Sequence, residues 1–200
     1  MQRPLHINFQ MLTNKRKDVL VELQIHAVAG TDDDHDQSLV LLKESKGERI
    51  LPIMVSRKRS LLLMMRANLS VQLPVATTPV DAAILLMQQF GIQITRVVLT
   101  GIQKGVFLCK VCAQREGVEK ELNYCMAADG IVLAATVQSP ILIEEELLQA
   151  QYMRKTGENS FAMNISTLTK QMLEKALQQA VNLENYEAAS RLRDELAKRQ

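Results

Sequence analysis

The chain between residues 93 and 124 reads QITRVVLTGIQKGVFLCKVCAQREGVEKELNY. It contains three runs rich in β-branched and aliphatic residues, at 93–100, 106–113 and 118–124. Lys104-Gly105 and Glu116-Gly117 separate the runs, and a glycine after a polar residue is typical of a tight turn between antiparallel strands. The stretch therefore predicts three consecutive antiparallel strands, and it decides the fold class.

The same order of elements occurs upstream. Between Val19 and Ala27 apolar and polar residues alternate, which is the period of a half-buried strand. Strands are also predicted at 38–42 and 49–55, and a helix follows at 57–67. Two runs of three strands that lead into a helix, 19–67 and 93–136, suggest an internal duplication. The sequence identity between the two runs is too low to establish it.

Further signals predict the remaining helices and the last strand of the domain before the tail. Thr78-Pro79-Val80-Asp81 predicts a helix start, with Thr78 as the N-cap and Asp81 folding back on it. Gly91 is a candidate for the left-handed residue that ends this helix. A short helix at 129–136, a strand at 140–143 and an acidic helix from Glu144 follow. The predicted fold class is α+β, a mixed and mostly antiparallel sheet with packed helices.

Residues 167–200 have the periodicity of two helices, whereas the stretch 152–166 has no pattern and is interpreted as a linker. Asn182 to Asn185 contains the reversal between the helices. Two helices of about fifteen residues have too little core to be stable alone. We therefore predict a C-terminal helical hairpin whose alanine-rich stripe packs on a second hairpin or on a partner protein.

Composition limits the class of protein. The net charge of +2 neither demands nor excludes a polyanionic partner, and 47% hydrophobic residues are enough for a core without disulfides. Residues 1–17 are interpreted as a mobile arm and contain no apolar signal region. No apolar run approaches the ~20 residues that span a membrane. These features predict a cytoplasmic protein with no membrane partner.

Two segments of the sequence contain residue types that can bind a metal. Cys109 and Cys112 lie at an odd offset on a predicted strand, which places them on opposite faces, so reduced thiols are expected. Residues 31–36 contain four carboxylates and one imidazole but lack the glycine and glutamate positions of a calcium loop. A solvated hairpin loop is expected there, and no metal ligand set is predicted.

Residues 183–196 read Leu-Glu-Asn-Tyr-Glu-Ala-Ala-Ser-Arg-Leu-Arg-Asp-Glu-Leu and closely resemble the UVR motif. That motif is the helical hairpin shared by the bacterial excision-repair B and C proteins. The resemblance implies contact with another UVR-bearing protein or with a second copy, and an unrelated coiled-coil tail is the alternative. The implied contact residues are Leu177, Ala180, Tyr186, Ala189, Leu192, Arg193 and Asp194.

Residues 18–151 resemble the bifunctional nuclease domain family, whose members are credited with cleaving DNA and RNA. The likeness is carried by Arg49-Ile50-Leu51-Pro52-Ile53, Phe90-Gly91 before Val97-Val98-Leu99, Gly105-Val106-Phe107, Asp129-Gly130-Ile131-Val132-Leu133-Ala134 and Ser139-Pro140-Ile141-Leu142-Ile143-Glu144-Glu145-Glu146-Leu147. The resemblance implies a bacterial, homo-oligomeric protein that associates with nucleic acid. No cofactor is assigned, and a divalent metal, Mg or Mn, is expected if the chain is catalytic.

The chain departs from the family in its polar segments. The family's Pro-Leu-Thr-His-Asp run retains only Asp81, and its Asp-Ala-Arg-Pro-Ser-Asp run is replaced by Tyr-Cys-Met-Ala-Ala-Asp at 124–129. Asp81 and Asp129 are therefore the candidate catalytic residues, although each is also explained as a helix-capping residue. Phosphodiester hydrolysis needs carboxylate-held metal and cations for the developing charge. A weak or inactive centre is expected.

A basic run replaces the Gly and acidic residues of the family at the start of the first helix. Arg57, Lys58 and Arg59 stand in a turn where cations oppose the helix dipole. With Arg66 they are the predicted nucleic-acid-binding residues, and the alternative is a solvated turn compensated by Glu44 or Glu48. The sequence thus predicts a nucleic-acid-associated protein. The alternative function is a non-enzymatic scaffold that acts through its hairpin in repair or stress response.

Overall fold

A computed structural model describes residues 19–31, 34–68, 78–155 and 161–199 of the chain. The strands of the body are β1 Leu20–Thr31, β2 Asp34–Glu44, β3 Ile50–Ser56, β4 Gln93–Gln103, β5 Val106–Arg115, β6 Val118–Met126 and β7 Ile141–Glu144. Its helices are α1 Arg57–Asn68, α2 Pro79–Gln89, α3 Ala127–Val137 and α4 Glu145–Gln151. The predicted arm, residues 1–17, lies outside the described residues.

The strands form one seven-stranded sheet in the order β3-β2-β1-β7-β4-β5-β6. β1 to β3 and β4 to β6 are two antiparallel meanders. β7 joins them, antiparallel to β1 and parallel to β4. The predicted α+β class with a mixed, mostly antiparallel sheet is confirmed. Each meander leads into a helix, α1 or α3, as the sequence predicted, while common ancestry of the two halves stays a prediction.

One face of the sheet carries the core, because alternate residues of its strands point to the same side. The buried strand residues on this face include Leu23, Val40, Leu42, Leu51, Ile53, Val97, Leu99, Cys109 and Ile143. Leu63 of α1 and Ile131 of α3 are fully buried against them. A Cβ at Gly130 would lie 2.5 Å from Cys109 Sγ and 2.9 Å from Val97 Cγ1. The close approach of α3 to the sheet therefore requires glycine there.

The start of α2 confirms the predicted capping box. Thr78 Oγ1 accepts a hydrogen bond from the Asp81 amide at 3.2 Å, and the Thr78 amide donates to Asp81 Oδ2 at 2.9 Å. Gly91 follows the helix with φ +68°, the left-handed conformation predicted for it. These signals are local, and each is completed within about one turn of helix.

Two predicted boundaries were wrong. α3 begins at Ala127 instead of Asp129, and Met126 occupies its N-cap position. Ala127 and Ala128 are buried, so core packing extends the helix back to the last residue of β6. Asp129 is therefore in the first turn and does not cap the helix. The acidic loop at 31–36 is also shorter than predicted: Thr31 pairs with Asp34, and residues 32–33 lie outside the described residues.

The stretch predicted as a linker contains regular structure. β8 Arg154–Lys155 pairs with β9 Phe161–Ala162, and a 3-10 turn follows at Ile165–Thr167. Hydrogen bonds tie the stretch to the body: Met153 N donates to Ile50 O at 2.8 Å, and Asn164 Nδ2 donates to Ala150 O at 3.0 Å. The boundary between body and tail stays a prediction, and the residues beside it contact the body.

The tail is the predicted helical hairpin, formed by α5 Lys170–Asn182 and α6 Tyr186–Ala197. Arg199 closes its base, with a side chain that is 4% exposed. The guanidinium donates to the carbonyl oxygens of Leu168, Ile165 and Ser166 and to Glu195. One arginine side chain thus donates to carbonyl groups of the 3-10 turn and of the residue that follows it. Within the described part of the chain, no helix has the length and apolarity needed to cross a membrane.

Arg49 holds the turn between β2 and β3 against α4. Its Nε and Nη2 donate to the two carboxylate oxygens of Glu44 at 2.9 and 2.8 Å. Its Nη1 and Nη2 donate to those of Glu145 at 2.6 and 2.9 Å. These charged hydrogen bonds lower the pKa of both glutamates below their ordinary value. Arg49 therefore fixes two distant parts of the body with two bidentate pairs.

We predict that Arg49→Met lowers the free energy of unfolding at neutral pH by about 1–2 kcal/mol, because both carboxylates lose a bidentate partner. The folded pKa values of Glu44 and Glu145 lie below the unfolded values. Their contribution to stability is therefore complete above the unfolded pKa and is lost as pH falls through the lowered values. Melting temperatures measured from neutral pH down to about pH 3 should fall more steeply for the parent than for the variant.

The control for this prediction is Arg115→Met, which removes an exposed pair with Glu116. It should retain the acid slope of the parent protein. An Arg49→Met variant with the same acid slope as the parent would contradict the assignment.

Candidate functional site

Asp129 is paired with an arginine of the predicted phosphate-binding run. Arg59 Nε donates to Asp129 Oδ1 at 2.5 Å, and Arg59 Nη2 donates to Oδ2 at 3.0 Å. Arg59 Nη1 also lies 3.3 Å from Ser56 Oγ. The bidentate geometry occupies both carboxylate oxygens and directs the guanidinium at the first turn of α3. The candidate acid and the candidate phosphate ligand thus bind each other.

Asp81 is paired in the same way. Arg66 Nη2 donates to Asp81 Oδ1, while Asp81 Oδ2 accepts from the amide and the hydroxyl of Thr78, both at 2.9 Å. The side chains of Arg66 and Asp81 are only 10% and 11% exposed. Removal of one partner would leave a buried charge without its counter-ion, which is strongly destabilising. The contacts of Asp81 are those of a structural residue.

The structure does not bring the two candidate acids together. Their arginine partners stand seven residues apart on α1, a separation of about 10 Å along the helix axis. Each carboxylate already has partners for both oxygens. Among the described residues, no group of three or more His, Cys, Asp or Glu side chains is placed to hold a metal ion. Within the described ranges, the candidate acids do not fit the divalent metal that a nuclease centre requires.

The cysteine thiols of the body are also unsuited to nucleophilic attack and to metal binding. Cys109 and Cys125 are direct partners on β5 and β6, and both are unoxidised in the structure. Burial raises the pKa of the Cys109 thiol to about 12, with nearby Cys125 and Asp129 adding to the shift. Burial also raises the pKa of Cys125 and of Cys112. All three groups are therefore thiols at neutral pH, and a thiol is a poor nucleophile and metal ligand.

Arg57 and Lys58 are the exposed part of the basic run. Glu44 pairs with Arg49, and Glu48 pairs with Lys43 at 3.1 Å. Whether nearby acids compensate the basic run stays a prediction. Of the four predicted nucleic-acid-binding residues, Arg59 and Arg66 have carboxylate partners within the body. The exposed positive charge at the start of α1 thus comes from Arg57 and Lys58.

The hairpin buries much of the predicted contact stripe within itself. Ala180, Ala189 and Leu192 are each 8% exposed and form one cluster with Leu173. Leu177 packs against this cluster, as do Ile165 and Leu168 at the base. The 3-10 turn therefore supplies the third packing element that two helices lack. Arg193 and Asp194 are exposed and bind each other at 3.0 Å.

The exposed apolar surface of the hairpin is its tip. Val181, Leu183 and Tyr186 are 46%, 79% and 68% exposed at the reversal between α5 and α6. Periodicity placed Val181 and Tyr186 on the apolar stripes of the two helices but missed Leu183, which lies in the reversal between them. The signal available in the sequence was an apolar leucine in a turn, where polar residues are usual.

Comparison with known protein families accounts for both parts of the chain. The model of the bifunctional nuclease domain matches residues 40–156, which is more than half of the chain. The UvrB/uvrC motif matches residues 165–199, the 3-10 turn and the hairpin. No curated protein matches the chain. The domain match runs from the middle of β2 to the end of β8 and includes the Arg59–Asp129 and Arg66–Asp81 pairs. The chain is therefore a member of the bifunctional nuclease domain family.

Proposed function

We propose that this protein binds nucleic acid through its body without robust hydrolysis and engages another protein through its UVR hairpin. The observation that carries the proposal is the commitment of both candidate acids to arginine partners, Asp129 to Arg59 and Asp81 to Arg66. A nuclease needs free carboxylate oxygens for metal and free cations for the charge that develops on phosphorus. Here each pair neutralises one group with the other.

We predict that the protein does not cleave nucleic acid. With Mg²⁺ or Mn²⁺ present, purified protein should leave labelled DNA and RNA intact over hours, at the level of a blank. Asp129→Asn, which keeps the shape of the side chain, should change nothing in this assay. Asp194→Asn is the control, because Asp194 is an exposed acid on α6, away from the candidate acids. Metal-dependent cleavage by the parent that is lost in Asp129→Asn and retained in Asp194→Asn would overturn the proposal.

The exposed start of α1 is the proposed contact with the phosphate backbone. Arg57 and Lys58 are exposed there, and the helix has no acidic residue in its first turn. Two like charges at a helix N-terminus oppose the helix dipole, so an anion bound beside them removes an unfavourable interaction.

The second candidate function, a scaffold, is favoured by the exposed apolar tip of the hairpin. It requires no contact with nucleic acid.

Binding should depend on salt through these two charges. The double variant Arg57→Ala/Lys58→Ala should lower affinity for duplex DNA and flatten the slope of log K against log salt by about 2. Lys170→Ala/Lys175→Ala removes two exposed charges from α5 and should leave the slope unchanged. An unchanged slope in the α1 variant rules out this contact. No binding by the parent at low salt contradicts the nucleic-acid function and leaves the scaffold.

The hairpin tip is the proposed surface for protein contact. Val181, Leu183 and Tyr186 are apolar and exposed, while the stripe below them is buried inside the hairpin. Burial of such side chains stabilises a contact by about 25 cal/mol per Å² of apolar area. A second hairpin of the same kind offers a matching apolar surface, so self-association through two tips forms a symmetric dimer.

We predict that Leu183→Asp/Tyr186→Ser abolishes self-association measured by sedimentation equilibrium, with little change in melting temperature. Val118→Asp is the control, because Val118 is 60% exposed on β6 and distant from the tip in sequence. Leu192→Asp should instead unfold the hairpin, since it places a carboxylate in a buried cluster at a cost of several kcal/mol. A parent that stays monomeric at high concentration, or a tip variant with the mass of an associated parent, would refute the prediction.

A further inference from the structure

Tyr124, near the end of β6, has an unusual backbone conformation. Its φ is +62°, in the left-handed region that favours glycine. The side chain is 80% exposed, so packing in the core does not hold the residue in this conformation. A bulky residue at positive φ is strained, and such outliers cluster at active sites and ligand-binding sites. The chain thus keeps an aromatic ring where asparagine or glycine would be less strained.

A β-bulge produces this conformation. The register of β5 and β6 shifts between Cys109 and Val111, so that Asn123 and Tyr124 together lie opposite Lys110. A bulge bends its strand and changes the direction of a side chain, and bulges are frequent beside active sites. β6 is the outermost strand on its side of the sheet. The exposed ring therefore lies at a border of the body.

The basic run of α1 is held near this border. Tyr124 precedes Asp129 by five residues, which span no more than about 18 Å. Asp129 binds Arg59 through both carboxylate oxygens, and Arg57 and Lys58 directly precede that arginine on α1. Sites for single-stranded nucleic acid cover about 4–16 nucleotides. One short strand can therefore contact both the ring and the exposed positive charges.

The acidic side chains of β6 are paired with cations. Glu119 binds Arg96 at 2.6 Å, and Glu121 binds Lys110 at 3.3 Å. Each of these pairs carries no net charge, so the surroundings of Tyr124 repel a polyanion less than unpaired carboxylates would. The border of the sheet at β6 therefore admits a phosphate backbone.

An exposed ring near positive charges is the arrangement that binds single-stranded nucleic acid. Bases of any identity stack on aromatic side chains, while cations contact the phosphates. In a duplex the bases stack on one another, whereas unpaired bases can turn outward and stack on a protein ring. The ring at Tyr124 thus suits a single strand better than a duplex.

We propose that Tyr124 is a stacking platform for an unpaired base of a single-stranded nucleic acid bound along the border beside α1. The proposal rests on the proposed nucleic-acid function and names the class of its ligand. It also gives a role to a departure of this chain from the family it resembles, in which an aspartate stands at the position of Tyr124.

Two oligomers of about ten nucleotides separate stacking from charge. Oligothymidylate and an abasic oligomer of the same length carry the same phosphates, and only the first has bases. The parent should bind oligothymidylate about 10-fold more tightly, measured by fluorescence anisotropy at low salt. Tyr124→Ala should abolish this difference without changing the salt slope, because no charge is removed. Tyr186→Ala, the control, removes an exposed ring from the hairpin tip and should change neither result.

Two further substitutions separate recognition from structure. The chain contains no tryptophan, so Tyr124→Trp introduces a single reporter whose emission oligothymidylate should quench and the abasic oligomer should not. Asparagine tolerates the left-handed conformation. Tyr124→Asn should therefore keep or raise the melting temperature while affinity for oligothymidylate falls about 10-fold. A merely structural role of Tyr124 would lower the melting temperature and leave the ratio of the two affinities unchanged.

Equal affinity of the parent for the two oligomers, unchanged affinity of Tyr124→Ala for oligothymidylate, or a lower melting temperature of Tyr124→Asn would overturn the proposal. These results leave salt-dependent binding of duplex DNA in place, because that measurement depends on Arg57 and Lys58. An unchanged salt slope in Arg57→Ala/Lys58→Ala, together with base-dependent binding of oligothymidylate, would instead contradict the proposed phosphate contact and not the stacking.

Discussion

The pairing of one short strand on both sides is the constraint on which the body depends. β7 has four residues, and its partners are residues 20–23 of β1 and 97–99 of β4. Ile141 and Ile143 are buried on the helix-covered face. Without β7, both meanders would have an unpaired inner edge beside the core, where each unpaired backbone group costs about 1–3 kcal/mol. The strand therefore joins two halves that are each incomplete.

Arginine–carboxylate pairs then fix the helices on this sheet. Arg49 binds Glu145, the residue directly after β7, and so ties α4 to the turn between β2 and β3. Arg59 ties α1 to α3, and Arg66 ties α1 to α2. Asp129 and Asp81, the two candidate catalytic acids, thus belong to the ion pairs that fix the helices.

Local signals were predictable from the sequence, whereas partners distant along the chain were not. The capping box of Thr78 and Asp81 depends on residues three apart, and the structure contains it as predicted. Asp129 and Arg59 are seventy residues apart, so no spacing rule joins them. The sequence identified both as charged residues with a role and assigned those roles separately. Periodicity likewise found the apolar stripe of the hairpin but not the 3-10 turn that covers it, because a three-residue turn has no period.

The base of the hairpin contacts the body, whereas the tip is exposed. At the base, Gly105 in the β4–β5 turn adopts φ +80°, and a Cβ there would lie 2.5 Å from Arg199 Nη1 and 3.1 Å from Leu168 O. The body thus approaches the hairpin closely at Arg199, the residue that binds the 3-10 turn. α5 has 13 residues, which separates this base from the tip by about 20 Å. A partner at Leu183 therefore contacts the tail at the end far from the body. The apolar tip proposed for protein contact is thus separated from the base, which lies against the β4–β5 turn at Gly105.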